Sequence, residues 1–587
     1  MSSPASNARV DRARNPLAWA TTLLACAAFA ATLIAWRATR ADPATLDLPW
    51  SDALGVRLHL SLDGLGALYA LLATGIGAAV FAYATAYLPL HLEQTGKAAR
   101  ERWRFWPWMG LFAAAMVGLA AAQDLILLFV LFDLTAICSY FLIGFDKEHR
   151  TTRLAALMAM LVTGIGAVAL LIGALVLRAD HGTFQLPEIA ARVADGAGGD
   201  PTVAAALIAV AALAKSAQVP LHFWLPRAMA APTPVSAFLH SAAMVAAGVL
   251  VLGRVYPIVA ASDAVRDGLL AVGLASIAAG GAIALTRDGF KQVLAYSTVS
   301  QYGYVVTLYG IGGRAGAGAA AFYVVAHALA KSARAMPLLA GASAVAAATL
   351  SALPLTVGFF KDELLFRAAA DRSTALAVAA VAAAALTFAY TWRFWGGIFL
   401  GARAGATAPI PALLTAPVAL LALLAVAFGL AAGPITELAS DAAAISVAGP
   451  ARVAVAYHLD GRTENLMALA AWALGAALLA APRAWAPAAD ALARAGDALG
   501  PRRAYEAALD GLNRVSDVLH GIEVRDLRSR VVSVLVPGGV LVAAGFAATP
   551  TRGAYAVGAV RGADLLVVAL LALVALAASV TAVTRDH

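Results

Sequence analysis

Charge is what this chain has least of. Only 13% of its 587 residues are charged, while 62% are hydrophobic. Soluble domains average about half apolar and about a quarter charged. So little polar surface cannot keep a chain of this length in water, which excludes a soluble enzyme, a disordered regulator and a nucleic-acid reader. Cysteine is scarce as well. Cys26 and Cys138 both lie in apolar runs and are too few for a disulfide framework or a Cys-ligated cluster. The third scarcity is lysine: of 42 basic residues only Lys97, Lys147, Lys215, Lys291, Lys331 and Lys361 are lysine, the rest being arginine. The formal net charge of +8 reads as arginine in loops that orient a membrane protein, not as a surface for nucleic acid.

What the chain has in quantity is long apolar runs. A bilayer core ~30 Å thick takes about 20 helical residues to cross. Candidate spans fall at 17–36, 62–88, 105–121, 125–145, 154–177, 202–219, 234–256, 267–286 and 290–310. Others fall at 317–333, 338–366, 374–400, 409–431, 463–481, 530–548 and 562–583, about sixteen in all. The pattern predicts an all-α, multi-pass membrane protein. The first run is too long for a signal peptide. Arg9, Arg12 and Arg14, the loop carrying Lys97 to Arg104 and the loop carrying Lys147 to Arg153 share one side in this count, so the N-terminus is expected in the cytoplasm. Two regions are not simple spans. Pro220 lands inside an apolar run and removes a backbone donor there, and Pro354 does so in a later one. Broken backbone at membrane depth is tolerated only inside protein or beside a wet cavity. Residues 484–528 carry Tyr505, Leu509, Leu512, Val515, Leu519 and Ile522 at helical spacing, as in an amphipathic segment on the membrane surface or a solvated connector.

A charge inside a membrane costs at least ~2.5 kcal/mol even on lenient scales, so each one is a functional candidate. Asp133 sits in the middle of a span, and Lys215 ends an alanine-rich run just before the Pro220 break. His240 lies in a further apolar run; His327 and Lys331, four residues apart, share a helix face; Lys361 follows Pro354 and opens Lys361-Asp362-Glu363. Carboxylate, imidazole and desolvated ammonium all exchange protons near neutral pH, whereas arginine stays protonated. The six residues together read as a proton relay. Taken singly, Asp133 with Lys215 also fits a structural ion pair, and the Lys361 cluster an ordinary helix end. Gly310 to Ala315 loosely fits a dinucleotide fingerprint, but it joins two spans and lacks the strand that motif needs. No metal-ligand cluster, haem spacing or phosphate-binding loop is legible, so no cofactor is expected and no redox or hydrolytic chemistry of the chain's own. Its energy source is a gradient or a partner subunit.

Lys215-Ser-Ala-Gln-Val-Pro-Leu-His-Phe-Trp-Leu-Pro226 and Ala231-Pro-Thr-Pro-Val-Ser-Ala-Phe-Leu-His-Ser241 resemble the antiporter-like proton-transporting family. That family includes distal membrane-arm subunits of complex I, related hydrogenase subunits and the A-type and D-type subunits of Mrp sodium/proton antiporters. Asp63-Gly-Leu, Leu134 to Phe145, Lys291 to Gln301, His327 to Lys331 and Leu350 to Glu363 extend the resemblance over roughly residues 60–400. It implies two inverted five-helix repeats, each with a broken helix, and an ion site between them. It also implies that Asp133 stands where the family has a glutamate paired with Lys215. His240 and His327 take the central histidine positions, Lys331 the bridging position and Lys361 the second broken helix. At ~4 Å and an effective dielectric of ~20 the Asp133–Lys215 attraction is about 4 kcal/mol, enough to gate a proton by separating the pair. The lysine the family places in Met244-Val-Ala246 is alanine here.

The expected organisation is a helix and loop at 1–60, a translocating core at 61–400 and C-terminal helices at 401–587. Tyr457-His-Leu and the late amphipathic segment look more like the A-type Mrp protein than complex I. The leading expectation is a sodium/proton antiporter component in a bacterial inner membrane, with other membrane subunits, the bilayer, protons and sodium as its partners. A proton-pumping component of an NADH:quinone oxidoreductase or hydrogenase, and a non-transporting structural component, remain as alternatives.

Overall fold

The computed structural model describes residues 16–335, 339–401, 410–458 and 460–522. Helix α1 (Pro16–Ala38) leads to strands β1 (Thr45–Ser51) and β2 (Val56–Ser61), which pair antiparallel. The helix-and-loop reading of 1–60 did not include this hairpin, although Leu46, Leu48 and Trp50 alternate with polar or turn residues in β1 at the period of a strand. Gly55, at φ +70°, makes the turn. Then come α2 (Gly64–Gln94), α3 (Trp106–Ala121), α4 (Leu125–Ile143), α5 (Arg150–His181), the short α6 (Leu186–Ala194) and α7 (Thr202–Lys215). The central stretch is α8 (Trp224–Ala228), α9 (Thr233–Ser241), α10 (Met244–Arg254), α11 (Tyr256–Val259), α12 (Asp263–Thr286), α13 (Phe290–Ile311) and α14 (Gly313–Ala335). After it follow α15 (Ala340–Leu350), α16 (Val357–Arg372), α17 (Thr374–Phe399), α18 (Ala412–Leu430), α19 (Gly433–Ser446), α20 (Thr463–Ala480) and α21 (Pro482–Leu499).

The fold is that of an all-helical, polytopic membrane protein. Among the described residues nine helices are long and apolar enough to cross a bilayer, the α9–α10 pair counting as one. The other expected spans have physical reasons for falling outside that group. α3, α7, α15 and α16 are each too short alone, and α13 and α14 carry buried polar and charged groups. Spans expected at 530–548 and 562–583, and the arginines before residue 15, lie outside the described residues.

The expected run at 338–366 is two helices, and the one at 202–219 stops at Lys215. Both end in the same cap. At the first break the Ser216 hydroxyl donates to Ala212 O, Ala217 takes φ 55° and Gln218 N donates to Leu213 O. At the second, Ser351 Oγ donates to Ala347 O, Ala352 takes φ 57° and Leu353 N donates to Ala348 O. This left-handed cap satisfies the last carbonyls of a helix that ends inside protein. The two helices enter from opposite ends of α12. Thr202, opening α7, bonds Ser262 just before α12 (2.8 Å). Ala340 O, opening α15, accepts from Trp395, and Arg393 nearby donates to Arg287 O just past α12's end. That opposition is the inversion expected of the two repeats.

Small residues let these helices approach. A Cβ on Gly166 would lie 2.9 Å from Ala214 Cβ, bringing α5 onto α7. The α12–α13 seam is tighter: Gly273 faces Gly303, Gly310 lies against Leu270, and a Cβ on Gly280 would sit 2.7 Å from Ser300 N. Asp63 accepts from Gly66 N (2.8 Å) at the start of α2, pairs with buried Arg254 of α10 and accepts from Gln123. At the other end of α2, Asp146 in the α4–α5 loop pairs with Lys97 (2.6 Å) and His91 (3.1 Å), tying two basic loops to one face. Burial by itself would raise the Asp146 carboxyl, but the His91 and Lys97 hydrogen bonds outweigh it and hold it at about 2. A carboxylate lowered by folding stabilises the fold above its unfolded value near ~3.9 and loses that contribution as pH falls towards its folded value. Acid-unfolding curves of wild type and Asp146→Asn are therefore expected to converge between about pH 4 and pH 2, with the variant less stable above that window.

The amphipathic segment expected at 484–528 is not one helix. α21 ends at Leu499, and Gly500-Pro501 separates it from α22 (Pro501–Ile522), because glycine weakens a helix and proline cannot donate into one. α22 lies in a second compact unit, residues 497–587. It exposes Leu512 and Val515, and Arg502 pairs with Glu506 at i,i+4 (2.7 Å). The expected segment's last residues, 523–528, lie outside the described part.

Candidate functional site

Lys215, Lys331 and Lys361 are withdrawn from solvent almost completely, at 0%, 0% and 1% exposure. Each ammonium has found neutral acceptors, π-faces or a carboxylate instead of water, as a buried charge must. Because α7 ends at Lys215, its side chain reaches α4: Nζ donates to Phe132 O (2.8 Å) and lies 4.4 Å from the centre of the Phe132 ring. Asp133 is the next residue, half-buried, and its charge acts on Lys215 through space. The ammonium, however, donates to the Phe132 carbonyl and not to the carboxylate expected to pair with it.

His240 closes α9, one residue before the Ala242-Ala243 interruption that separates α9 from α10. His240 and His327, the latter on α14, are each 1% exposed; neither ring nitrogen of His240 has a hydrogen-bond partner among the described residues, and the His240 backbone acts on the His327 ring. Leaving such a group unsatisfied costs about 1–3 kcal/mol. It also leaves the unprotonated nitrogen of the neutral ring open to a proton. His327 packs edge-on against Tyr302 at 5.1 Å. One turn on, Lys331 donates to Leu294 O (2.7 Å) and Ser297 Oγ (2.5 Å) of α13.

Tyr323, His327 and Lys331 fall at i, i+4 and i+8, so one face of α14 carries all three over about 12 Å. Tyr323 extends that face to the second broken helix, because Lys361 Nζ sits 4.7 Å from its ring centre. The tyrosine hydroxyl donates to Gln301 Oε1 (3.0 Å), and Gln301 Nε2 donates to Tyr390 Oη (2.9 Å). Lys361 itself donates to Asp362 (2.6 Å). His327, Lys331 and Lys361 therefore follow one run of side chains across α13, α14 and α16, and His240 of α9 lines the same cavity as Lys331. Lys215 and Asp133 form a separate cluster, and Lys215 shares no hydrogen bond with either histidine.

Reading for charge in apolar runs found the six relay candidates but passed over their supporting groups. Ser297, Gln301, Tyr302 and Tyr323 are neutral, and the signal for the first three was an unusual density of polar residues in α13. Lys291 was quoted only as part of a motif. It donates to Met229 O (3.0 Å) and Ala231 O (2.8 Å) and lines one narrow cavity with His240 and Lys331. Glu363, named only as part of the Lys361 cluster, is 6% exposed.

Residues 122–334 match a sequence family described as NADH:quinone oxidoreductase/Mrp antiporter, TM. This stretch holds α7, its break, both histidines and Lys331. The core of the chain resembles that family. Over 489 residues the chain is 31% identical to the A1 subunit of a Na(+)/H(+) antiporter of Staphylococcus haemolyticus, covering 74% of this chain and 60% of that protein. Over 386 residues it is 33% identical to the A/B subunit of a probable K(+)/H(+) antiporter of Rhizobium meliloti, covering 60% of this chain and 38% of that one. A solved Mrp complex from Dietzia sp. DQ12-45-1b superposes with a TM-score of 0.75 at 32% identity, over 94% of this chain and 63% of its counterpart. An archaeal membrane-bound sulfane sulfur reductase shares the fold at a TM-score of 0.64 and 20% identity, over 73% of this chain and 91% of that one. The antiporter-like chain spans between about a third and three fifths of the length of the curated relatives it matches.

Proposed function

We propose that this chain is the proton-translocating component, of the A type, in a multi-subunit monovalent cation/proton antiporter of a bacterial cytoplasmic membrane. The observation that carries this reading is the set of three fully buried lysines, two of them at broken helices, with two buried histidines between them. A gradient-driven relay needs that combination: groups that hold a proton away from water, and helix breaks around which they can shift. Residues 61–400 are the proposed translocating core, with Asp133, Lys215, His240, His327, Lys331 and Lys361 as its proton-carrying groups. Asp133 biases the charge on Lys215, the Phe132 carbonyl and ring hold the ammonium, and the imidazoles pass protons towards Lys331 and Lys361.

Names of relatives include both sodium and potassium antiporters, and sodium is proposed here as the exchanged ion. The other members of the assembly are proposed as partners because those relatives are named as subunits, while the Dietzia structure is of a complex. The test is cation-driven dequenching of a pH-sensitive dye in inside-out vesicles bearing the intact assembly. Sodium-driven dequenching lost in Lys215→Ala is expected. Acidification that instead requires NADH and disappears in the same variant would make the chain part of a redox pump.

A further inference from the structure

Four non-glycine residues among those described take positive φ: Ala217, Ala352, Leu355 and Ala448. The three alanines are helix caps, closing α7, α15 and α19 through the same pattern of backbone bonds. Leu355, at φ 68°, caps no helix. It lies between the cap of α15 and the first turn of α16, and a bulky side chain in the left-handed region is a true outlier there. Such a conformation persists only where its surroundings fix it, and outliers of this kind gather at switches. Among the described residues the first break has an equivalent of Ala352, in Ala217, but none of Leu355.

Two groups fix Leu355. Its N–H donates to Tyr457 Oη (3.0 Å), and its carbonyl oxygen lies against Gly429 of α18, where a Cβ would come within 2.5 Å of it. Tyr457 belongs to a strap without regular structure, residues 451–458, that joins α19 to α20. Its ring packs on Phe359 (5.2 Å) and Phe360 (4.7 Å) of α16. Earlier in the strap, Val453 N donates to Ser440 Oγ of α19 (2.8 Å). The Val453 side chain closes on α14, since a Cβ on Gly318 would lie 2.8 Å from its Cγ2. The other side of the break is held separately: Trp472 of α20 donates to Ser351 O (3.1 Å) and Trp392 of α17 to Ser351 Oγ (3.0 Å).

The strap therefore grips both partners of the Lys361–Tyr323 contact, α16 through Tyr457 and α14 through Val453. Lys361 stands less than two helical turns beyond Leu355, so a change of backbone at Leu355 is carried by α16 to the ammonium. A cavity of about 610 Å³ between the strap and α19, lined by Arg40, Phe360, Glu437, Ser440 and Tyr457, gives the hydroxyl room to leave the break. We infer that Tyr457 is a positioning residue: its hydroxyl holds Leu355 left-handed and so sets where α16 presents Lys361 to Tyr323. This rests on the proposed translocating role, and the experiment separates the two.

Tyr457→Phe keeps the ring and removes only the hydroxyl. In the intact assembly, residue-resolved hydrogen–deuterium exchange at the Leu355 amide is expected to quicken about fivefold, the factor that one ordinary hydrogen bond represents. The maximal rate of sodium-driven dequenching is expected to fall by a similar factor, with the half-saturating sodium concentration unchanged. Leu355→Gly in the same chain is expected to restore most of that rate, because glycine takes positive φ freely. Co-purification of partner subunits at wild-type yield establishes that each variant is assembled.

Exchange at the wild-type rate in assembled Tyr457→Phe would overturn the contact. Faster exchange with an unchanged maximal rate, a loss confined to apparent sodium affinity, or no recovery with Leu355→Gly would each overturn the positioning role. If Lys215→Ala keeps antiport, the translocating role fails, while the exchange result still reports on Tyr457. Should Tyr457→Phe fail to assemble, wild-type exchange decides against Ala454, an exposed strap residue whose amide has no partner among the described residues. A Leu355 amide that exchanges more slowly than that of Ala454 supports the inference, and one that exchanges as fast overturns it.

Discussion

Lys331→Met is expected to lower cation-driven proton flux by at least about 100-fold while leaving the protein assembled. Lys331 is fully buried and held by Leu294 O and Ser297 Oγ on α13. It also stands one turn from His327 on the face of α14 that leads to Tyr323 and Lys361. A proton crossing this point without the ammonium is an unpaired charge at membrane depth, which costs at least ~2.5–3.5 kcal/mol on the lenient scale. That is a factor of about 100 in rate or occupancy. Methionine keeps the length of the side chain and removes only the charge, so stability is expected to fall little. Flux in inside-out vesicles, normalised to the amount of assembled protein, is the readout. A flux within threefold of wild type would show that the proton does not pass through Lys331.

The second large effect is structural. Gly280→Leu is expected to abolish recovery of folded protein, because the space for its side chain is occupied by backbone. A Cβ there would sit 2.7 Å from Ser300 N and 2.9 Å from Tyr296 O, atoms of a helix that cannot move without taking Lys291, Ser297 and Gln301 with it. Overpacking costs ~1–3 kcal/mol where side chains can yield; against backbone the two helices must part, and the cost exceeds that range. Gly268→Leu is the control. It lies on the same helix, exposed, with nothing within 4 Å of its Cβ position. Gly268→Leu is expected to purify at wild-type yield and Gly280→Leu not at all, as judged by size-exclusion chromatography in mild detergent. Equal yields would mean that α12 and α13 do not pack along this glycine seam.

Most of the helices could be read from the sequence because a membrane span is a composition as much as a pattern. What hydropathy did not separate were the places where backbone geometry changes while side chains stay apolar. The run expected at 338–366 contains both α15 and α16; Pro354 marked a break in it, but nothing in hydropathy showed that α15 already ends at Leu350, with Ala352 in the left-handed cap. The interruption at Ala242-Ala243 has no marker at all in residue type. α19 was missed because Glu437 and Asp441 dilute its apolar face, and those acids are held by Arg40 from far along the chain.

The relay candidates were legible because charge in an apolar run is conspicuous. Their environment was not. Nothing local to Lys215 indicates that a carbonyl and an aromatic ring of α4 would hold it, and nothing local to Lys361 points to Tyr323. Those contacts join residues more than 30 positions apart, and only the packing of inverted repeats brings them together. Neutral Gln301 and Tyr323 were invisible to a search for charge, yet they bridge the central and outer parts of the site. The amphipathic segment is two helices for a simple reason: helical spacing continues across Gly500-Pro501, but the backbone does not.

The claim on which the rest depends is that protons cross this protein through its buried lysines. Dequenching rates in inside-out vesicles, driven by sodium and separately by potassium, should be compared at equal amounts of assembled protein for wild type, Lys215→Ala, Lys331→Ala and Lys361→Ala. The expected result is cation-driven proton movement in the wild type and its loss in all three variants. Wild-type rates in both Lys215→Ala and Lys331→Ala would contradict the claim and reduce the protein to a structural member of its assembly.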